Sequence, residues 1–120
     1  MGLSGKKAVV FGGTSGIGLA AALLLARNGA EVTAVSRKPD KAGTLPSGVS
    51  LRACDVLDRS AVEAVFSELS PIDILVTAAT GGKRAFGPFL EMDMDGYKGS
   101  FDKLWGYANV VRYGAQHVKD

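Results

Sequence analysis

Short apolar runs alternate along the chain with longer segments in which apolar residues recur every three or four positions, the pattern of buried strands separated by helices. Lys7 to Phe11 reads as a first buried strand, and an alanine- and leucine-rich segment from Gly16 to Asn28 reads as a helix, with Gly29 as its stop. Glu31 to Ser36 is a second strand. The connection "RKPDKAGTLPSG" admits at most one short helix near Asp40 to Ala42, and Val49 to Ala53 is a third strand. Asp58 then caps a helix in which Val62, Val65, Phe66 and Leu69 form one stripe, ended by Ser70-Pro71. "IDILVTAA", residues 72–79, is apolar on both faces and predicts a strand inside a sheet. A last helix, roughly Asp95 to Val118, carries Phe101, Leu104, Trp105, Ala108, Val111 and Ala115 on one side. The alternation predicts an α/β domain with a four-stranded parallel sheet covered by helices.

Composition narrows the choice. At 120 residues the chain holds one domain, 1–120, and its 16 glycines predict many tight turns. With 14 basic and 12 acidic residues the net charge is +2, so no dense cationic face supports nucleic-acid or anionic-membrane binding. Cys54 is the only cysteine, which rules out an intrachain disulfide, suits a reducing cytoplasm, and reads as a small buried thiol. The first ten residues hold no apolar stretch long enough for a signal peptide, and "AALLLA" is too short to span a bilayer. No clustering of His, Cys, Asp or Glu suggests a metal site. The single histidine, His117, has a surface or capping role in this reading.

The chemistry gathers at "GGTSGIG", residues 12–18, which joins the first strand to the first helix. Gly12 can leave the strand in a tight conformation, Gly16 admits a pyrophosphate without a Cβ in its path, and Gly18 lets the helix pack closely on the sheet. Thr14, Ser15 and Ile17 complete the loop, and the free amides of the helix mouth, with its dipole, favour an anion. A dinucleotide is the expected ligand. At the end of the second strand stands Ser36-Arg37-Lys38 in place of an acid. A carboxylate there would suit the ribose hydroxyls of NAD, whereas a hydroxyl and a guanidinium suit the 2′-phosphate of NADP(H). Asp55 is placed either to accept from the adenine amino group or to cap a turn.

With those residues assembled, over essentially its whole length, the chain resembles the N-terminal part of a short-chain dehydrogenase/reductase. The resemblance is carried by the glycine motif at Gly12 to Gly18, Ser36-Arg37, "CDVLD" around Asp55, and "IDILVTAAT". It implies a Rossmann-type three-layer α/β/α fold with strand order 3-2-1-4, cofactor contacts that extend to Val56, Ala78 and Ala79, and hydride transfer between a nicotinamide and a carbonyl or alcohol carbon. Three positions depart from the family pattern. Phe11 replaces the usual threonine before the first glycine, Thr77-Ala78-Ala79-Thr80 replaces Asn-Asn-Ala-Gly, and Lys103 aligns with the family's helix asparagine. Lys103 is either a holder of water in a proton relay or a solvated charge. The family's catalytic serine and Tyr-x-x-x-Lys pair have no counterpart here, because none of Tyr97, Tyr107 and Tyr113 precedes a lysine by four positions. A single, truncated cofactor domain is therefore expected, inactive alone. The resemblance also implies homo-oligomers through strand 72–78 and helix 95–118, with the helix's inner face left exposed. Three functions compete: part of an NADP(H)-dependent reductase, a non-catalytic nucleotide-binding module, and a self-assembling fragment whose turn is empty.

Overall fold

The computed structural model describes residues 2–80 and 83–120. Its centre is a parallel sheet of β1 (Lys7–Phe11), β2 (Glu31–Ser36), β3 (Val49–Ala53) and β4 (Ile74–Thr77), in the order β3-β2-β1-β4. Val9 pairs with Thr33 on one side and with Leu75 on the other, so β1 is interior and β4 is an edge. This is the order 3-2-1-4 expected above, and it leaves "IDILVTAA" as an open edge instead of an interior strand. Its strand residues are half-buried, while Ile72 just ahead is fully buried and bridges to Val118.

Alternation along the strands divides the core. Ala8, Val10, Val32 and Ala34 face α1 (Gly16–Arg27), with Ala22 of that helix among them. Val9, Phe11 and Val35 point the other way, into a cluster with Val62, Val65 and Phe66 of α2 (Arg59–Leu69) and with Val110. The layers are helix, sheet, helix, as expected. Asp58 caps α2 by accepting from the Ala61 amide at 3.1 Å. Phe11, where the family pattern has threonine, is wholly buried with its ring 5.5 Å from that of Phe66, so the hydroxyl has been exchanged for core packing.

The last helix departs from expectation in its continuity. It is divided into α3 (Met94–Gly99) and α4 (Asp102–Gly114), with a short 3₁₀ turn at Ala115–His117. At the break the Ser100 hydroxyl donates to the Gly96 carbonyl at 2.9 Å and accepts from the Ala85 amide at 3.1 Å, which ties the preceding loop to the joint. The buried face of α4 consists of Gly106, Asn109, Val110 and Gly114. The stripe Phe101, Leu104, Trp105 and Val111 is about half exposed instead, with Trp105 at 58%. The apolar face is thus left exposed, as expected, and it is a face of small residues that packs on the rest of the domain. The reason is close approach: a Cβ on Gly106 would press on Val56, and one on Gly114 would enter the ring of Phe66. His117 is no free surface group, since its ring stacks on Phe66 at 5.7 Å and its Nδ1 lies 2.8 Å from Ser70 Oγ. Among the described residues, no helix is long and apolar enough to cross a membrane.

Candidate functional site

At the carboxyl ends of β1, β2 and β4, where a parallel sheet opens into a crevice, lies a cavity of about 480 Å³. The glycine loop forms one wall. Gly12 leaves β1 at φ 77°, and its amide donates to the Val35 carbonyl at 2.8 Å, which locks the turn onto β2. A Cβ there would come within 2.5 Å of the Ala79 nitrogen. Gly16 also has positive φ, 52°, but the space a Cβ would take is open. A Cβ on Gly18 would collide with the Gly12 carbonyl, so this glycine allows α1 to sit directly on the turn.

Ser15 occupies the N-cap of α1 in an extended conformation, yet its hydroxyl makes no capping bond and the first turn holds no acid. The amides of Gly16, Ile17 and Gly18, all lining the cavity, therefore lack helical acceptors. Together with the helix dipole they make the cavity wall electropositive without a formal charge.

The other expected residues largely converge here. Thr14, Ser15, Ser36, Arg37, Asp55, Val56, Ala78, Ala79 and Lys103 all line the same cavity. Lys38 does not; it stands at the N-cap of the 3₁₀ turn Pro39–Ala42, outside the lining. Arg37 is exposed and has no ion pair among the described residues. Asp55 Oδ1 accepts from the Leu57 amide at 2.9 Å, so the turn-capping role is filled by one carboxylate oxygen. Two hydroxyls on the walls, Ser36 Oγ and Thr77 Oγ1, are buried without a protein partner among the described residues, a cost of about 1–3 kcal/mol each unless something else satisfies them.

Cys54 also lines the cavity, but burial pushes its thiol up to about 11, so it stays protonated and unreactive. Tyr107 was not among the expected residues, yet it joins the lining from α4. Its only sequence signal is position, one helical turn after Lys103, whose Nζ stands 5.7 Å from the ring centroid.

Comparison with known proteins agrees with this geometry. The family model for short chain dehydrogenase matches residues 6–119. Glycine betaine reductase ATRR of Emericella nidulans is 42% identical over 111 residues, 83% of this chain and 9% of that protein. L-xylulose reductase of Mesocricetus auratus is 36% identical over 105 residues, 85% of this chain and 42% of that protein. A solved short chain dehydrogenase/reductase family protein superposes with a TM-score of 0.83 at 31% identity, covering 98% of this chain and 51% of the other. The chain thus spans less than half the length of these two curated relatives.

Proposed function

Because the chain belongs to the short-chain dehydrogenase family, we propose that it is the NADP(H)-binding part of an oxidoreductase acting between a carbonyl and an alcohol. The observation that carries the reading is the uncapped mouth of α1, flanked by left-handed Gly12 and Gly16 and opening on a cavity that Ser36 and Arg37 also line. The chemistry of this corner fits the cofactor. Backbone amides at 16–18 hold the pyrophosphate, Ser36 and Arg37 select the 2′-phosphate, and Asp55, Val56, Ala78 and Ala79 bound the adenosine. A bound nicotinamide supplies a hydride acceptor or donor at C4.

Lys103, exposed at the cavity edge, is suited to hold a water at the place of the family's asparagine. These 120 residues contain no Tyr-x-x-x-Lys to exchange the hydroxyl proton. By themselves they bind cofactor and turn over negligibly. The exposed stripe of α4 and the open edge of β4 support assembly of like chains, in a reducing cytoplasm.

Calorimetric titration tests the cofactor assignment. NADPH should bind more tightly than NADH, and Arg37→Asp should weaken NADPH by about 10- to 150-fold, as for loss of a charged hydrogen bond, while NADH changes little. Equal weakening of both refutes the phosphate role; no binding of either refutes the dinucleotide reading.

A further inference from the structure

We propose that the apolar hollow where α3 meets α4 binds a methylated ammonium group, the head of a small organic cation. The hollow measures about 280 Å³ and is lined by Ala85, Met92, Tyr97, Ser100 and Phe101. It shares no residue with the cavity of the glycine loop, so the proposal stands independently of the dinucleotide reading. Its volume lies at the lower limit for ligand pockets, which suits a head group. Tyr97 belongs to α3 and Phe101 is the N-cap of α4, and their rings stand 5.5 Å apart at 77°. Phe89, outside the lining, meets Tyr97 at 5.7 Å and 70° and braces it. Two rings at nearly a right angle form a corner, and each face carries the negative potential of its π-system.

Hydrogen bonding within the lining narrows the ligand. The amides of all five residues already donate inside the protein: Ala85 to Ser100 Oγ, and Met92, Tyr97, Ser100 and Phe101 to the carbonyls of Phe89, Asp93, Gly96 and Lys98. The Ser100 hydroxyl donates in turn to Gly96. An anion therefore finds no free backbone donor, and a primary ammonium would shed water without acceptors for its three N–H groups. A quaternary ammonium carries its charge without N–H, and needs only aromatic faces and polarizable surface, which Tyr97, Phe101 and the Met92 thioether provide. Among the described residues, cations lie over Phe86, Tyr107 and Tyr113, and none lies over Phe89, Tyr97 or Phe101. The surrounding charge has the right sign. Residues 83–102 carry Glu91, Asp93, Asp95 and Asp102 against Lys83, Arg84 and Lys98, an acidic excess in a chain of net charge +2. Glu91 and Asp102 are the chain neighbours of Met92 and Phe101, ~3.8 Å away at Cα, well inside a screening length of about 8 Å at physiological salt.

The test titrates the whole chain with choline and with 3,3-dimethylbutan-1-ol, which has the same shape but carbon in place of nitrogen, and follows the Tyr97 and Phe101 ring protons by NMR. Choline should saturate with a Kd on the order of 1–10 mM, and the neutral alcohol should bind about 5- to 30-fold more weakly, the share of two cation–π contacts. Tyr97→Leu and Phe101→Leu keep apolar bulk, so each should weaken choline about 2- to 5-fold and leave the alcohol unchanged. Glu91→Gln should weaken choline at low salt and have less effect at high salt. Nuclear Overhauser contacts between the choline methyl protons and both rings should appear in the wild type, which needs no variant to fold. An alcohol that binds as tightly as choline would make the hollow an ordinary apolar patch and overturn the proposal. So would choline that fails to saturate by about 50 mM, whether the hollow is closed by another copy of the chain or too shallow. Undiminished choline binding in a folded Tyr97→Leu, or absence of contacts to both rings, would overturn it as well. Failure of NADPH to bind leaves these outcomes untouched, so the two readings fall separately.

Discussion

Replacing Gly18 by alanine probes the joint between the glycine loop and α1, on which the cofactor assignment depends. As a helix position, Gly18 would gain about 1 kcal/mol from alanine. Against that, the new Cβ collides with the carbonyl of Gly12, a backbone atom and not a flexible side chain. Gly12 cannot retreat, because its amide is bonded to Val35 at 2.8 Å and the backbone of Ala78 and Ala79 fills the space beside it. Relief must come from α1 lifting off the sheet, and overpacking of this kind costs about 1–3 kcal/mol or more. Because the clash is with rigid backbone, the cost lies at the upper end of that range and the overpacking term wins, for a net loss of about 2 kcal/mol. With a urea slope of roughly 1–2 kcal/mol per molar, the midpoint should fall by about 1–2 M in a circular-dichroism melt. NADPH affinity should fall with it, since the helix mouth moves.

Gly16→Ala is the control. It meets open space, so its stability cost is only the left-handed strain at φ 52°, about 1–2 kcal/mol, but the methyl group stands at the helix mouth and should abolish most NADPH binding. A Gly18→Ala chain as stable as wild type, with NADPH affinity intact, would refute the reasoning.

Other expectations follow from the packing and the charges. Gly114→Ala should destabilise by about 1–3 kcal/mol despite its better helix propensity, because Phe66 is wholly buried between Phe11 and His117 and has no room to yield; an unchanged urea midpoint would contradict this. Burial raises the Cys54 thiol from 9.0 to about 11, so the folded state keeps a proton that the unfolded chain releases. Its share of stability is complete below about pH 9 and drains away as pH rises toward 11, and disulfide-exchange labelling at pH 8 should be far slower in the folded chain than in urea. Fast labelling of folded chain would show the thiol to be open. Trp105→Glu, on the exposed stripe of α4, should shift sedimentation toward monomer at micromolar concentration; a wild type already monomeric there removes the basis for assembly through this face.

The alternation of β-branched runs with helical periods was enough to place four strands and the main helices, because backbone hydrogen bonding and sheet burial impose those periods locally. β2, β3 and the cap at Asp58 fall where the residues predict, and the spacing of Gly12, Gly16 and Gly18 was sufficient to locate the turn, since its backbone conformation excludes most other residues. Which residues of α4 pack inward was not legible. An apolar stripe records the residues that prefer to leave water, whereas the burial of Gly106, Asn109 and Gly114 depends on the positions of Val56 and Phe66, 50 and 48 residues away in the chain. The same holds for the cavity. Lys38 and Arg37 are neighbours in sequence yet only Arg37 lines it, and Tyr107 joins a loop from another element through one buried amide. Local propensity fixes direction along a strand or helix, but shape complementarity between distant segments decides which side chains meet, and that is settled only when the layers close.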